Sequence, residues 1–256
     1  YQPEWMKLET SACPACVTWS YDPASHNWQR KASAPPGVTA LVTTPLGVIG
    51  ATVAWRTRLD PAGYLKAGEP PVEDNPVYLF ESARNQWTRL GPPQASPGNL
   101  YEMTSLAYDT RRDQVILHGG GKNRDELWIF NLKTKQWKNM QPKVIAPAGA
   151  APPQCTRESV YIPSGGVVLI YGPSRKDRTR PALWEYSVAG NVWRLVDIPP
   201  VTEAPPARRA SQNRSMVYDA KRDLILLVLG SGGDGGPSAV FAMRYRRAQA
   251  ASATGE

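Results

Sequence analysis

An aromatic motif recurs four times along the chain with one fixed internal spacing. Each copy has an aromatic residue, a second aromatic residue two positions later, and a tryptophan nine positions after the first. Side chains alternate between the two faces of a strand, so the first two aromatic residues share a face. The polar residues before the tryptophan predict a turn, and each copy therefore predicts a β-hairpin. The copies are Trp19, Tyr21 and Trp28; Tyr78, Phe80 and Trp87; Trp128, Phe130 and Trp137; Trp184, Tyr186 and Trp193.

The spacing between these hairpins predicts the architecture. Their tryptophans are separated by 59, 50 and 56 residues, and strand repeats of this length are typical of β-propeller blades. Pairs of apolar strands are predicted at three places, marked by Tyr108, Tyr161 and Tyr218 at intervals of 53 and 57 residues. A more divergent pair is predicted within 39–55, before an insertion that runs to about residue 75. We expect the tryptophans to pack between blades or against outer strands.

This pattern resembles the kelch repeat, in which a tyrosine-ended strand, an apolar strand closed by Gly-Gly, and the aromatic and tryptophan strands follow one another. Gly119-Gly120 keeps the glycine pair, whereas Gly172-Pro173 and Leu229-Gly230 are degenerate. Degenerate copies are found in secreted bacterial kelch proteins and in the central domain of galactose oxidases. The resemblance implies an all-β propeller of four-stranded antiparallel blades around a channel. The expected divisions are a propeller at 1–247, with blades at about 1–35 (partial), 38–93, 101–140, 156–198 and 211–247, and a polar tail at 248–256.

These blades are fewer than kelch-type rings commonly have. Residues 17–30 lack the two inner strands, and 211–247 lacks a tryptophan strand. The segment around Trp5 resembles such a strand and would complete the last blade by ring closure. We therefore expect an incomplete ring that belongs to a longer polypeptide or to a stable complex.

Charge and composition restrict the classes of partner that this protein is expected to bind. The net charge is +8, with local basic clusters at 175–180, 208–209 and 244–247. A basic surface favours acidic partners, such as a protein or an acidic glycan. No RNA-recognition motif accompanies the clusters, so a nucleic-acid partner is not expected. No apolar stretch approaches the length of a transmembrane helix.

The three cysteines leave several interpretations open. Cys13 and Cys16 form a CxxC that precedes a predicted strand, whereas Cys155 stands alone. The pair is compatible with a local disulfide or buried thiols, with a role that involves upstream sequence, or with redox or metal chemistry. Together with the secreted type of repeat and the absence of an initial Met, the CxxC predicts an extracytoplasmic location, either periplasmic or secreted.

No catalytic or metal-binding arrangement is predicted, and we expect no cofactor. Of the two histidines, His118 lies within an apolar strand and is expected in the core, while His26 lies in a polar turn. The copper site implied by galactose oxidases requires a histidine pair that this chain does not supply. The sequence contains neither a GxSxG nucleophile motif nor a phosphate-binding loop.

The best binding candidates are expected at one rim of the propeller. Arg157 and Arg214 are in register in neighbouring blades, and two guanidinium groups suit a carboxylate, a sulfate or a sugar acid. Salt bridges between blades, with Glu158 or Glu102 as partners, are the alternative. The candidates are Tyr101, Glu102, Arg157, Glu158, Asn213 and Arg214 in the segments that lead into the innermost strands, and Arg124, Arg175, Lys176 and Arg178 in neighbouring loops.

These features favour a non-catalytic binding or scaffolding module that presents rim loops to a protein or glycan. One alternative is a carbohydrate-active enzyme similar to kelch sialic-acid mutarotases. In it, Arg157 and Arg214 would hold the carboxylate of the sugar acid, and Glu158 or Glu102 would act as acid or base. A second alternative is a structural subunit that binds through its basic loops within a multiprotein complex.

Overall fold

The described part of the protein is all-β, as predicted. Four small, mainly antiparallel sheets are arranged as four propeller blades that do not close into a ring. A separate two-stranded hairpin precedes them. The computed structural model describes residues 16–22, 24–35, 38–52, 77–90, 104–120, 125–154, 159–173, 181–197, 214–229 and 239–245.

The strands follow the chain in blade order. The N-terminal hairpin contains β1 (Cys16–Asp22) and β2 (Asn27–Ala34). Blade 1 contains β3 (Val38–Thr44), β4 (Gly47–Thr52), β5 (Val77–Glu81) and β6 (Gln86–Leu90). Blade 2 contains β7 (Ser105–Asp109), β8 (Gln114–Gly120), β9 (Glu126–Asn131) and β10 (Gln136–Asn139). Blade 3 contains β11 (Lys143–Ile145), β12 (Ser159–Ile162), β13 (Val167–Pro173), β14 (Pro181–Ser187) and β15 (Val192–Val196). Blade 4 contains β16 (Arg214–Asp219), β17 (Leu224–Leu229) and β18 (Ala239–Met243).

The aromatic motif forms the predicted hairpin in all four copies. The second aromatic residue and the tryptophan lie directly opposite each other on antiparallel strands, as in the Tyr186–Trp193 pair. Their ring centroids are 4.9, 5.2, 5.1 and 5.1 Å apart along the chain, which is a favourable distance for tilted aromatic rings. The sequence spacing therefore sets the strand register.

Six of the turns between strands share one local conformation. A non-glycine residue with positive φ ends each of these six turns, and Asn and Asp tolerate this conformation better than most other residues. In blade 2 this residue is Asp113, whose carboxylate accepts a 2.7 Å hydrogen bond from the Tyr108 hydroxyl. Burial and the Asp113 carboxylate raise the pKa of Tyr108 to about 12. The six residues are His26, Asn85, Asp113, Lys135, Asn191 and Asp223.

The apolar core lies between the blades. Three clusters of buried residues occupy the junctions of blade 1 with blade 2, blade 2 with blade 3, and blade 3 with blade 4. At the second junction Tyr186 and Trp193 pack against Ile116 and Leu127 of blade 2, and Trp193 is 2% exposed. Blades 2 and 3 thus pack their aromatic pairs against the blade that precedes each of them.

Trp87 and Trp137 pack at junctions in the same way, as predicted. The Trp87 indole donates hydrogen bonds of 3.2 Å to the Thr18 hydroxyl and to the Ala32 carbonyl of the N-terminal hairpin. Trp137 packs against the cluster that joins blades 1 and 2. The prediction is wrong for Trp28, which stacks on Tyr21 within its own hairpin but is 65% exposed. The reason is that the described residues supply no preceding blade against this face of the hairpin.

Blade 3 departs from the predicted four strands. In blade 3 the short strand β11 pairs in parallel with the outer strand β15 and adds a fifth strand. Asn191 fixes this connection, because its side-chain amide donates to the Met140 carbonyl at 2.6 Å and its own carbonyl accepts from the Lys143 amide at 3.1 Å. Blade 4 has three strands among the described residues, in agreement with the prediction that 211–247 lacks a tryptophan strand.

Candidate functional site

The innermost strands of the four blades line a central channel. Strands β3, β7, β12 and β16 lie next to one another in this order. The cavity between them has a volume of about 620 Å³, which is within the range of about 300–1,000 Å³ typical of small-molecule sites. The fold therefore forms the channel that the kelch resemblance implies.

Hydroxyl groups from two adjacent blades line this channel. Ser105 begins β7 and Ser159 begins β12, and both residues line the cavity. Their Oγ atoms are buried and make no hydrogen bond with the residues that the structure describes. A serine hydroxyl is able to donate one hydrogen bond and to accept two, so the pair can bind water or a polar ligand group.

Apolar side chains mark the two ends of the row of blades within the same channel. Leu41 on β3 is 58% exposed, and Val217 on β16 is 50% exposed. These strands belong to the first and last blades. The channel is thus open to solvent on the side where the ring is not closed.

A polar network joins blades 2 and 3. The buried Asp109 carboxylate accepts hydrogen bonds from the Arg111 amide at 3.0 Å and from the side chains of Arg112 and Gln114 at 3.1 Å each. The Arg111 guanidinium in turn donates to the Ser164 carbonyl of blade 3 at 3.0 Å. Burial, together with the Asp109 carboxylate, raises the pKa of Tyr161. The network stabilises neutral Tyr161 at the junction.

The two histidines lie where the sequence predicts. His118 is almost fully buried on β8, and its ring packs edge-on against Trp193 with centroids 5.5 Å apart. His26 is exposed in the turn between β1 and β2, where its Nδ1 is 2.9 Å from the Tyr21 hydroxyl. His118 therefore has a packing role at the junction of blades 2 and 3.

The burial of one carboxylate, that of Glu185, was not predicted from the sequence. Glu185 lies on β14 with 4% exposure, and its Oε2 accepts a hydrogen bond from the Tyr245 hydroxyl. Its Oε1 is 3.6 Å from the Arg194 guanidinium. The signal was present in the repeat, because Leu79 and Ile129 occupy the same position in other copies. This group connects the segment after β18 to the outer strands of blade 3.

The rim candidates are almost all outside the described residues. Arg214 begins β16, next to Ser215, which lines the channel, but the structure does not describe the Arg214 side chain. The same holds for Cys16, which begins β1. The candidates that lie outside the described residues are Tyr101, Glu102, Arg124, Arg157, Glu158, Arg175, Lys176, Arg178 and Asn213, together with Cys13.

Comparison with known proteins does not assign this chain to a family. No family model matches the sequence, and no curated protein matches it. Within the described part of the chain, no helix has the length and apolar character needed to cross a membrane.

Proposed function

We propose that this protein is a non-catalytic binding or scaffolding module that holds an acidic glycan or a protein at one rim of its propeller. The observation that supports this most directly is the channel of about 620 Å³ lined by the innermost strands of four blades. A rigid frame with loops around a central opening is a common way to present a contact surface. The apolar clusters at the blade junctions supply that rigidity.

The order of the strands supports a common location for the rim candidates. Propeller blades are related by rotation about the channel, so the segments that lead into equivalent strands share one rim. Glu102 precedes β7 by three residues, Arg157 precedes β12 by two, and Arg214 is the first residue of β16. Because β7, β12 and β16 are neighbours, this order supports a single site to which three blades contribute.

The charge of these segments favours an anionic ligand. Arg157 and Arg214 offer guanidinium groups that bind carboxylate or sulfate oxygens in pairs. Arg124, Arg175, Lys176 and Arg178 would add positive charge in the loops around the same rim. The channel hydroxyls of Ser105 and Ser159 would supply hydrogen bonds below it.

Ligand binding by a double variant tests this proposal. We expect Arg157→Ala combined with Arg214→Ala to weaken binding to sialic acid, glucuronate or sulfated oligosaccharides by at least about tenfold, measured by calorimetry and thermal shift. Arg30→Ala combined with Lys138→Ala is the matched control, because it removes the same charge from exposed strand positions. Equal losses in both variants would contradict a specific site. Turnover of a bound sugar acid would contradict a non-catalytic module and support the enzyme alternative.

We further propose a kelch-type, secreted or periplasmic protein with a disulfide between Cys13 and Cys16. The fold supports the kelch type, since its four blades are mainly antiparallel sheets arranged as a propeller. Thiol counting on denatured, unreduced protein tests the disulfide. One reactive thiol is expected, from Cys155, whereas three reactive thiols would contradict the disulfide and weaken the proposed location.

A further inference from the structure

The N-terminal hairpin exposes an aromatic face that the other three copies of the motif bury wholly or in part. Trp19, Tyr21 and Trp28 are all exposed, although they occupy the motif positions of Trp184, Tyr186 and Trp193. The opposite side of the hairpin packs on blade 1 through Thr18. The hairpin is therefore the outer half of a further blade, and its aromatic face is oriented toward a position that a preceding blade would occupy.

Blade 4 exposes an apolar face of the kind that receives an aromatic pair at a blade junction. Val217, Leu226, Val228 and Val240 lie on one face of its sheet, because Val217 is opposite Leu226 and Val228 is opposite Val240. Val217 is 50% exposed and Val240 is 64% exposed. The face of blade 4 that contacts blade 3 is a different one, which carries Met216, Ile225 and Leu227.

The strand register shows that the exposed face of blade 4 corresponds to a buried face of blade 2. In blade 2 the equivalent positions are Ala107, Ile116, His118 and Leu127, since Ala107 is opposite Ile116 and His118 is opposite Leu127. Ala107, Ile116 and Leu127 receive Tyr186 and Trp193 of blade 3 in the apolar cluster between these blades. The tail face of blade 4 (Val217, Leu226, Val228 and Val240) thus matches an observed acceptor of an aromatic pair. The head face (Trp19, Tyr21 and Trp28) matches the pair itself.

We infer that the head face of one copy docks on the tail face of a second copy, so that this protein associates head to tail. Both halves of an observed junction are present on one chain, and each is exposed because the blades do not close into a ring. Two different, complementary faces produce a heterologous contact, which extends into a larger ring or a filament. The occupant of each face is therefore another molecule of this protein, joined by the same packing that joins blades 2 and 3.

Association of the full chain tests this inference. Sedimentation velocity over a wide concentration range is expected to show species that grow with concentration. Trp28→Ser disrupts the head face, and Val240→Asp places a charge on the tail face. Each substitution is expected to weaken association by at least about tenfold. Val144→Asp is the matched control, because Val144 is an exposed valine on β11, outside both faces.

Mixing the two variants distinguishes a head-to-tail contact from other interfaces. The Trp28→Ser chain keeps its tail face and the Val240→Asp chain keeps its head face, so an equimolar mixture is expected to form a dimer that does not grow further. Unchanged thermal unfolding of each variant checks that both remain folded. Failure of the mixture to dimerise would overturn the inference. A wild-type protein that stays monomeric at every concentration would also overturn it. So would a monomer in which a solute quencher shows that Trp28 is shielded, because its head face would then be covered within the same chain.

Discussion

Tyr186 and Trp193 of blade 3 and Tyr21 and Trp28 of the N-terminal hairpin occupy the same positions in the repeated motif. Both pairs lie directly across antiparallel strands, with ring centroids 5.1 and 4.9 Å apart. Trp193 is nevertheless buried against blade 2, whereas Trp28 is exposed. The motif therefore determines the hairpin, and the neighbouring blade determines whether its aromatic residues contribute to stability.

The largest difference is expected when each tryptophan is removed. Trp193→Ala leaves a cavity between blades 2 and 3 and should lower the free energy of unfolding by about 3–5 kcal/mol. Trp28→Ala removes a mostly exposed ring and should change it by less than about 1 kcal/mol. Urea denaturation of dilute protein measures both values. Similar losses for the two variants would show that the hairpin is packed like a blade.

A second comparison concerns a buried and a partly exposed carboxylate on equivalent outer strands. Glu185→Gln weakens the contacts with Tyr245 and Arg194 in a buried environment, and we expect a loss of about 1–3 kcal/mol. Glu81→Gln on β5 removes a partly exposed pair with Arg84 and should cost at most about 1 kcal/mol. Denaturation midpoints of the two variants at equal ionic strength provide the measurement. A larger loss for Glu81→Gln would refute the role given to Glu185.

The tyrosine hydroxyls give a smaller contrast. Tyr186 donates a 3.0 Å hydrogen bond to Asn191 inside the blade junction, and Tyr186→Phe should cost about 0.5–1.5 kcal/mol. Tyr21 makes the corresponding contact with His26 in solvent, and Tyr21→Phe should change stability by less than about 0.5 kcal/mol. Thermal unfolding of the two variants, compared with wild type, measures the difference. Equal effects would mean that burial does not strengthen this contact.

The smallest effect should appear in alkaline solution. An unfolded tyrosine titrates near pH 10, and the folded pKa of Tyr108 is about 12. Because the folded value is raised, neutral Tyr108 contributes stability that is fully present below about pH 10 and is lost as the pH rises toward 12. Tyr108→Phe should flatten this part of the pH dependence in urea denaturation. An unchanged slope would show that Tyr108 does not couple to folding.

The sequence predicts the fold well because its signal is local. A fixed distance between Tyr186 and Trp193 determines the turn length, and the turn length determines the register of β14 and β15. The parallel strand β11 lacks an aromatic residue, and three strands separate it in sequence from its partner β15, so no local pattern predicts this pairing. The exposure of Trp28 was mispredicted for a related reason, since burial depends on a neighbour that the motif does not encode.

The candidate site is predicted less completely. The channel follows from the propeller, but the unpaired hydroxyls of Ser105 and Ser159 depend on distances between blades that spacing along the chain does not give. Glu185 was detectable as a charged residue at an apolar position of the repeat. Its pairing with Tyr245 was not, because these residues are distant in sequence and belong to different blades.

Hydroxyl-radical footprinting with mass spectrometry tests most directly whether the neighbouring blade, and not the motif, buries the aromatic pair. It reports the oxidation rate of each side chain separately and works on dilute protein. We expect Trp28 and Tyr21 to oxidise rapidly while Trp193 and Tyr186 remain protected, and we expect the protection of Trp193 to persist in the Trp28→Ala variant. Equal protection of the two pairs in the dilute monomer, or equal rapid oxidation, would contradict the account.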